Sequence, residues 1–93
     1  MAPSRVHITV YGEVQGVFFR SGAKGIASSL GITGWARNKP DGTVEIMAEG
    51  SEENIKKLVA WCNDGPEGAS VSRVDVKKEK YKGEFSFFSV EYR

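Results

Sequence analysis

Cysteine and histidine are the scarcest chemically useful residues in this 93-residue chain, at one each, and its net charge is only +1. Each scarcity removes a class of protein. A lone cysteine, Cys62, cannot close an internal disulfide, whereas secreted domains of this size commonly carry several. One cysteine and one histidine are too few for a structural zinc site, which wants four such ligands, so no metal is expected. Near-neutral charge gives no general polycation for nucleic acid and no acidic tail. No apolar run approaches membrane length or follows a basic leader, so the expectation is a soluble cytoplasmic protein with no membrane partner. Repeats and linkers are missing too, and 40% apolar with 27% charged residues suits one domain, 1–93, with a modest core.

What is present alternates in short elements. Val6, Ile8 and Val10 alternate with Arg5, His7, Thr9 and Tyr11, the pattern of a half-buried strand. Ala23, Ile26, Ala27 and Leu30 form one apolar stripe of a helix that Gly31 is placed to end. Gly22 and Gly25 weaken that helix by up to about 1 kcal/mol each relative to alanine. The segments ITGWARN and TVEIMAEG flank KPDG as a hairpin, with Pro40 presetting the turn and Gly42 free to turn left-handed. Ser51 reads as the N-cap of a second helix, whose positive first turn suits Glu52 and Glu53. Ile55, Leu58, Val59 and Cys62 are its buried stripe, Gly65 its stop, and one or two strands follow. The order β-α-β-β-α-β predicts an α+β, ferredoxin-like sandwich: an antiparallel sheet of four to five strands with both helices on one face. That topology hosts enzymes, RNA binders and regulatory modules, so function must come from particular residues.

The stretch YGEVQGVFFRSG, Tyr11 to Gly22, joins the first strand to the first helix. Such a connection can aim successive backbone N–H groups at one point, where the helix dipole adds positive potential. Gly12 and Gly16 permit positive φ and leave no Cβ in a ligand's way. Arg20, where the helix begins, has a planar fork that suits two phosphate oxygens at once. It is no nucleotide loop, because neither G-x-x-x-x-G-K-[ST] nor G-x-G-x-x-G occurs. Taken alone, the stretch reads first as a tight connection ending in a solvated arginine, since glycines punctuate loops everywhere.

Two strings at a fixed separation change that balance. GEVQGVFFR, Gly12 to Arg20, fits G-x-V-x-G-V-x-[FY]-R at every fixed position, and GWARN, Gly34 to Asn38, fits G-[WY]-x-x-N ahead of a hairpin. With PDGTVE, AEG and the closing FSVEY, the chain resembles the acylphosphatase family over essentially its whole length. The resemblance implies a ferredoxin-like fold and hydrolysis of the carboxyl–phosphate bond of acyl phosphates, without metal or cofactor. It implies that Arg20 binds the substrate phosphate and that Asn38 positions the attacking water. The loop of Glu13, Val14, Gln15, Gly16, Val17, Phe18 and Phe19 is implied to offer backbone N–H groups to the phosphoryl oxygens. Bacterial and archaeal relatives commonly carry glycine where Phe18 stands, which bears on the shape of the pocket mouth. The expected partner is a small acyl phosphate, and the expected working unit a monomer.

So small a set is enough for the chemistry. A carboxylate leaves readily without a general acid, so what remains is charge stabilisation on the phosphoryl group and in-line placement of water. Fixed N–H donors and a guanidinium supply the first. An amide supplies the second without setting a negative charge beside the phosphate. Other candidates have plainer readings. His7 faces away from the core as a strand residue, Cys62 completes an apolar stripe, Trp35 is a core or sheet-face aromatic, and the lysines of KKEKYK protect a sheet edge. Two other functions stay in view. One is a non-catalytic phosphate- or carbamoyl-phosphate-binding module of the same fold, against which the lack of added zinc-finger motifs speaks. The other is a single-stranded RNA binder, whose K/R-G-F/Y-G/A-F-V-x-F/Y segment is missing.

Overall fold

The computed structural model describes residues 2–92. Alternation in β1 (Pro3–Glu13) decides which face of the sheet is covered: Val6, Ile8 and Val10 turn into the core, toward the helices. β3 (Val44–Ser51) pairs antiparallel with β1 and brings Val44, Ile46 and Ala48 to the same face. β2 (Thr33–Asn38) joins the far side of β3, and β4 (Ser70–Glu79) the far side of β1, both antiparallel. α1 (Phe19–Ser29) and α2 (Glu52–Asp64) close the core with Phe19, Ala23 and Ala27 from one and Ile55, Leu58 and Cys62 from the other. The ferredoxin-like α+β sandwich read from the sequence is the observed fold.

One expectation needs correcting: the sheet is mixed. Its order is β4-β1-β3-β2-β5, and β5 (Phe88–Glu91) lies parallel to β2, with Gly34 opposite Phe88 and Ala36 opposite Val90. The reason is the connection. After β4 the chain does not turn back as a hairpin but crosses from one sheet edge to the other, so nothing forces an antiparallel entry. Glu49 anchors that crossing. Its Oε2 accepts the N–H groups of Lys82 (2.9 Å) and Gly83 (3.2 Å), and its Oε1 that of Glu84 (3.2 Å). Arg5 Nη1 donates to the same carboxylate at 3.1 Å and also pairs with Glu84, while its Nε reaches Glu79 at 3.1 Å. Burial alone raises the Glu49 carboxyl, but the Lys82 N–H, the Arg5 guanidinium and the Glu84 and Gly83 N–H groups more than offset it and hold it below the usual carboxylate range.

These pairings fix the site's location. β1 and β2 both run antiparallel to β3, and β5 runs parallel to β2, so all three strands end at one rim. Glu13, Asn38 and Glu91 are their last residues. On the face away from the helices, Glu45 takes His7 Nε2 at 2.5 Å and Arg37 Nε at 2.6 Å, and Arg37 lies over the Trp35 ring at 4.8 Å.

Two glycines separate close approach from mere flexibility. At Gly34, φ 143°, a Cβ would stand 1.8 Å from the Met47 carbonyl oxygen, a backbone atom that cannot move aside. A Cβ at Gly25 in α1 would meet nothing within 4 Å. Gly34→Ala is therefore expected to destabilise by at least about 2 kcal/mol, and Gly25→Ala to stabilise by about 0.5–1 kcal/mol. Urea unfolding midpoints check both, and equal midpoints for the two variants would contradict the packing argument. Gly22 differs from Gly25 despite its similar place in the helix pattern, because its Cβ would come 2.7 Å from Trp61, the ring that also packs at 5.1 Å on Phe19.

Candidate active site

The loop after β1 is pinned at both ends. Val14 is fully buried and Phe19 nearly so, with Val17 packed on the edge of the core. Between them Gly16 (φ 76°) and Phe18 (φ 60°) take left-handed backbone, the kind of conformation that turns successive N–H groups to one side. Among the backbone hydrogen bonds of the described turns and loops, none is donated by an N–H from Val14 to Phe18.

The loop leads into a helix end with its positive charge left open. Phe18, the N-cap of α1, provides no side-chain acceptor, and the first turn contains no acidic residue. α2 shows the contrast. There Ser51 Oγ accepts the Asn54 N–H at 3.2 Å, and Glu52 and Glu53 countercharge the first turn. Two helices of one chain thus receive opposite treatment, and the open N-terminus is the one that carries Arg20.

Arg20 is half-buried in the first turn of α1, and the last strand fixes its side chain. Its Nη1 donates to the Glu91 carbonyl at 3.0 Å, and its guanidinium lies over the Tyr92 ring at 4.7 Å. One donor and one face are thereby engaged, and other N–H groups of the fork remain for an anion. Asn38 ends β2, just before a turn closed by Lys39 N–H to the Thr43 carbonyl at 2.9 Å and by Asp41 Oδ1, which accepts the Thr43 N–H at 3.0 Å. Gln15 ties the loop to this hairpin, since its Nε2 donates to the Lys39 carbonyl at 2.8 Å and to the Thr43 carbonyl at 2.9 Å.

Arg20 and Asn38 line one cavity of about 200 Å³. Val14, Gly16, Phe18 and Phe19 from the expected loop line it as well, joined by Ser21, Val90 and Tyr92, which sequence reasoning did not single out. No carboxylate and no histidine is among these lining residues. Glu13, Gln15 and Val17 are not lining residues: Glu13 pairs with Ser70 in the sheet, Gln15 turns to the hairpin, and Val17 packs on the core. The side-chain tether made by Gln15 was also missed, because an amide that seeks two carbonyls has no pattern in the sequence. Gly12 has a different purpose from the one expected. Its Cβ would lie 2.1 Å from the Ser70 carbonyl oxygen, so it permits β1 and β4 to approach at a register shift rather than clearing room for a ligand. Gly16, by contrast, meets nothing within 4 Å.

Cys62 stands apart from this chemistry. It is buried in α2, and burial pushes its thiol up to about 12, so it is no nucleophile at neutral pH. A thiol reagent is expected to label the chain only after unfolding, with hydrolysis unaffected before that. Stoichiometric labelling of the folded chain would contradict the burial.

Comparison with known proteins agrees with this picture. Residues 6–90 match the family model described as acylphosphatase. An acylphosphatase of Pelotomaculum thermopropionicum is 50% identical over 92 residues, spanning 99% of this chain and all of the relative. Among solved structures, an acylphosphatase of Coxiella burnetii superposes with a TM-score of 0.91 at 38% identity, covering 96% of this chain and 93% of that one. An acylphosphatase of Bacillus subtilis gives 0.92 at 32% identity, with 96% and 99% covered.

Proposed function

Because this chain belongs to the acylphosphatase family and hydrolyses acyl phosphates, we propose that the rim where β1, β2 and β5 end carries the reaction, through Arg20, Asn38 and the loop N–H groups. The observation behind this assignment is that Arg20 and Asn38 line one cavity at the uncapped N-terminus of α1, beside loop N–H groups that no backbone carbonyl engages.

The phosphoryl group sits against N–H groups of the loop from Val14 to Phe18, inside the expected stretch Glu13 to Phe19, and the fork of Arg20. These fixed donors stabilise the charge on its equatorial oxygens as the bond to the acyl oxygen lengthens. Asn38 accepts a hydrogen bond from the attacking water and holds it in line with the leaving carboxylate. Water oxygen bonds to phosphorus, the phosphorus–oxygen bond to the acyl group breaks, and the carboxylate departs with the electron pair. With no carboxylate or histidine among the described residues that line the cavity, a phosphoryl oxygen takes the proton of the water. Every group named belongs to one chain, so a monomer is the working unit we propose, in a cytoplasmic setting consistent with a single free cysteine. Among the described residues, no helix is long and apolar enough to cross a membrane.

Hydrolysis of acetyl phosphate in excess chelator, with Arg20→Ala as control, tests this reading. Full activity in chelator that vanishes in the variant supports it. Phosphate binding without turnover would instead favour a binding module of the same fold.

A further inference from the structure

Phe18 occupies an unfavourable place for a phenylalanine on two counts. Its backbone, at φ 60° and ψ 29°, is in the left-handed region that glycine adopts freely and bulky residues rarely do. Among the described residues it is the only one other than glycine with positive φ. The residue is 82% exposed, so packing in the core does not offset the strain. Glycine would serve the backbone better, and a polar residue the solvent. Strain retained at a site asks for a function. Phe18 lines the cavity of Arg20 and Asn38 in company with Val90 and Tyr92, and Tyr92 is itself 77% exposed.

We propose that Phe18, with Tyr92 and Val90, receives the acyl group of the substrate and makes the chain selective for acyl phosphates with an aromatic or long aliphatic acyl group. This rests on the acyl phosphate reading above. The carbonyl carbon of such a substrate is two bonds from phosphorus, so fixing the phosphoryl group on Arg20 and the loop fixes where the acyl group begins. A cavity of about 200 Å³ that takes the phosphoryl group and a water leaves a larger acyl group at its mouth. Two exposed aromatic rings and a valine belong to that wall. The guanidinium of Arg20 holds the Tyr92 ring by stacking, so the surface is fixed before substrate arrives. Among the described residues that line the cavity, Arg20 is the one that carries charge, and it holds the phosphate, so a charged acyl group finds no second partner among them. The nearby cations Arg37 and Lys39 line an adjoining cavity that shares Asn38, and Arg37 is already paired with Glu45.

The test is a ratio: kcat/KM for benzoyl phosphate over that for acetyl phosphate, in the wild-type chain, Phe18→Leu and Phe18→Gly. Any disturbance of the loop N–H groups affects both substrates and cancels, whereas loss of the ring affects benzoyl phosphate alone. The ratio should fall about tenfold in Phe18→Gly and about threefold in Phe18→Leu. A ratio within twofold of wild type in Phe18→Gly overturns the proposal, whatever the absolute rates do. Binding of phenylphosphonate against methylphosphonate, measured by calorimetry, gives the same comparison without turnover. A chain that discriminates between the phosphonates through Phe18 yet hydrolyses neither acyl phosphate would sink the catalytic reading and uphold this one. Hydrolysis of both substrates with no dependence of either ratio on Phe18 would do the reverse.

Discussion

Replacing Arg20 by alanine should lower kcat/KM for acetyl phosphate by at least about 10³ and remove most inhibition by inorganic phosphate. Loss of one preorganised neutral donor in a charge-stabilising site costs about 10²–10³ in rate. A guanidinium that meets two oxygens at once supplies charge as well as geometry, and charge-assisted bonds are roughly twice as strong as neutral ones. Arg20→Lys separates these contributions. It keeps the charge but not the fork, so phosphate inhibition should return in part while turnover stays depressed by about 10². Part of any loss could be structural, because Arg20 also donates to the Glu91 carbonyl and stacks on Tyr92. Circular dichroism and Tm of the same samples separate the two effects, since one lost hydrogen bond costs only about 1 kcal/mol. An Arg20→Ala chain that keeps its phosphate inhibition constant would remove Arg20 from the phosphate site.

Asn38→Ala should behave differently. Its role concerns the water and not the phosphate, so kcat should fall by about 10²–10³ while the phosphate inhibition constant stays within a few-fold. Asn38→Asp sharpens the contrast: the shape is kept, but a negative charge now stands beside the phosphoryl group, and phosphate affinity should drop along with kcat. If the alanine variant loses turnover and phosphate affinity in equal measure, Asn38 belongs to the phosphate contacts and the water needs another holder.

The residues of both predictions were legible in the sequence, and so was most of the frame around them. Alternation in Val6, Ile8 and Val10 gave the buried face of β1, and Ser51 with two glutamates gave the capped start of α2. These signals are local, carried by residues within a few positions of one another. What escaped is long-range. Arg20 is held by a backbone carbonyl 71 residues away, and a carbonyl leaves no mark in a sequence. The parallel entry of β5 depends on where a crossing segment is tied down, and the tie is Glu49, a buried carboxylate that reads as one more polar position of a strand. The left-handed backbone of Phe18 was hidden for a similar reason, since φ at that position is set by how the loop closes onto α1.

The Glu49 anchor has a bearing on the opposite rim. There, consecutive N–H groups and one arginine grip a carboxylate of the protein itself, strongly enough to keep it ionised against the pull of burial. At the rim of Arg20 the chain brings together the same kinds of donor, consecutive amides that no backbone carbonyl engages and one arginine. Under the proposed assignment the fold uses one kind of anion receptor twice, with an internal tenant at one end and a visitor at the other. If the rim of Arg20 holds phosphate as proposed, its donors favour the dianion, and inhibition by inorganic phosphate should tighten as pH rises through the second phosphate ionisation.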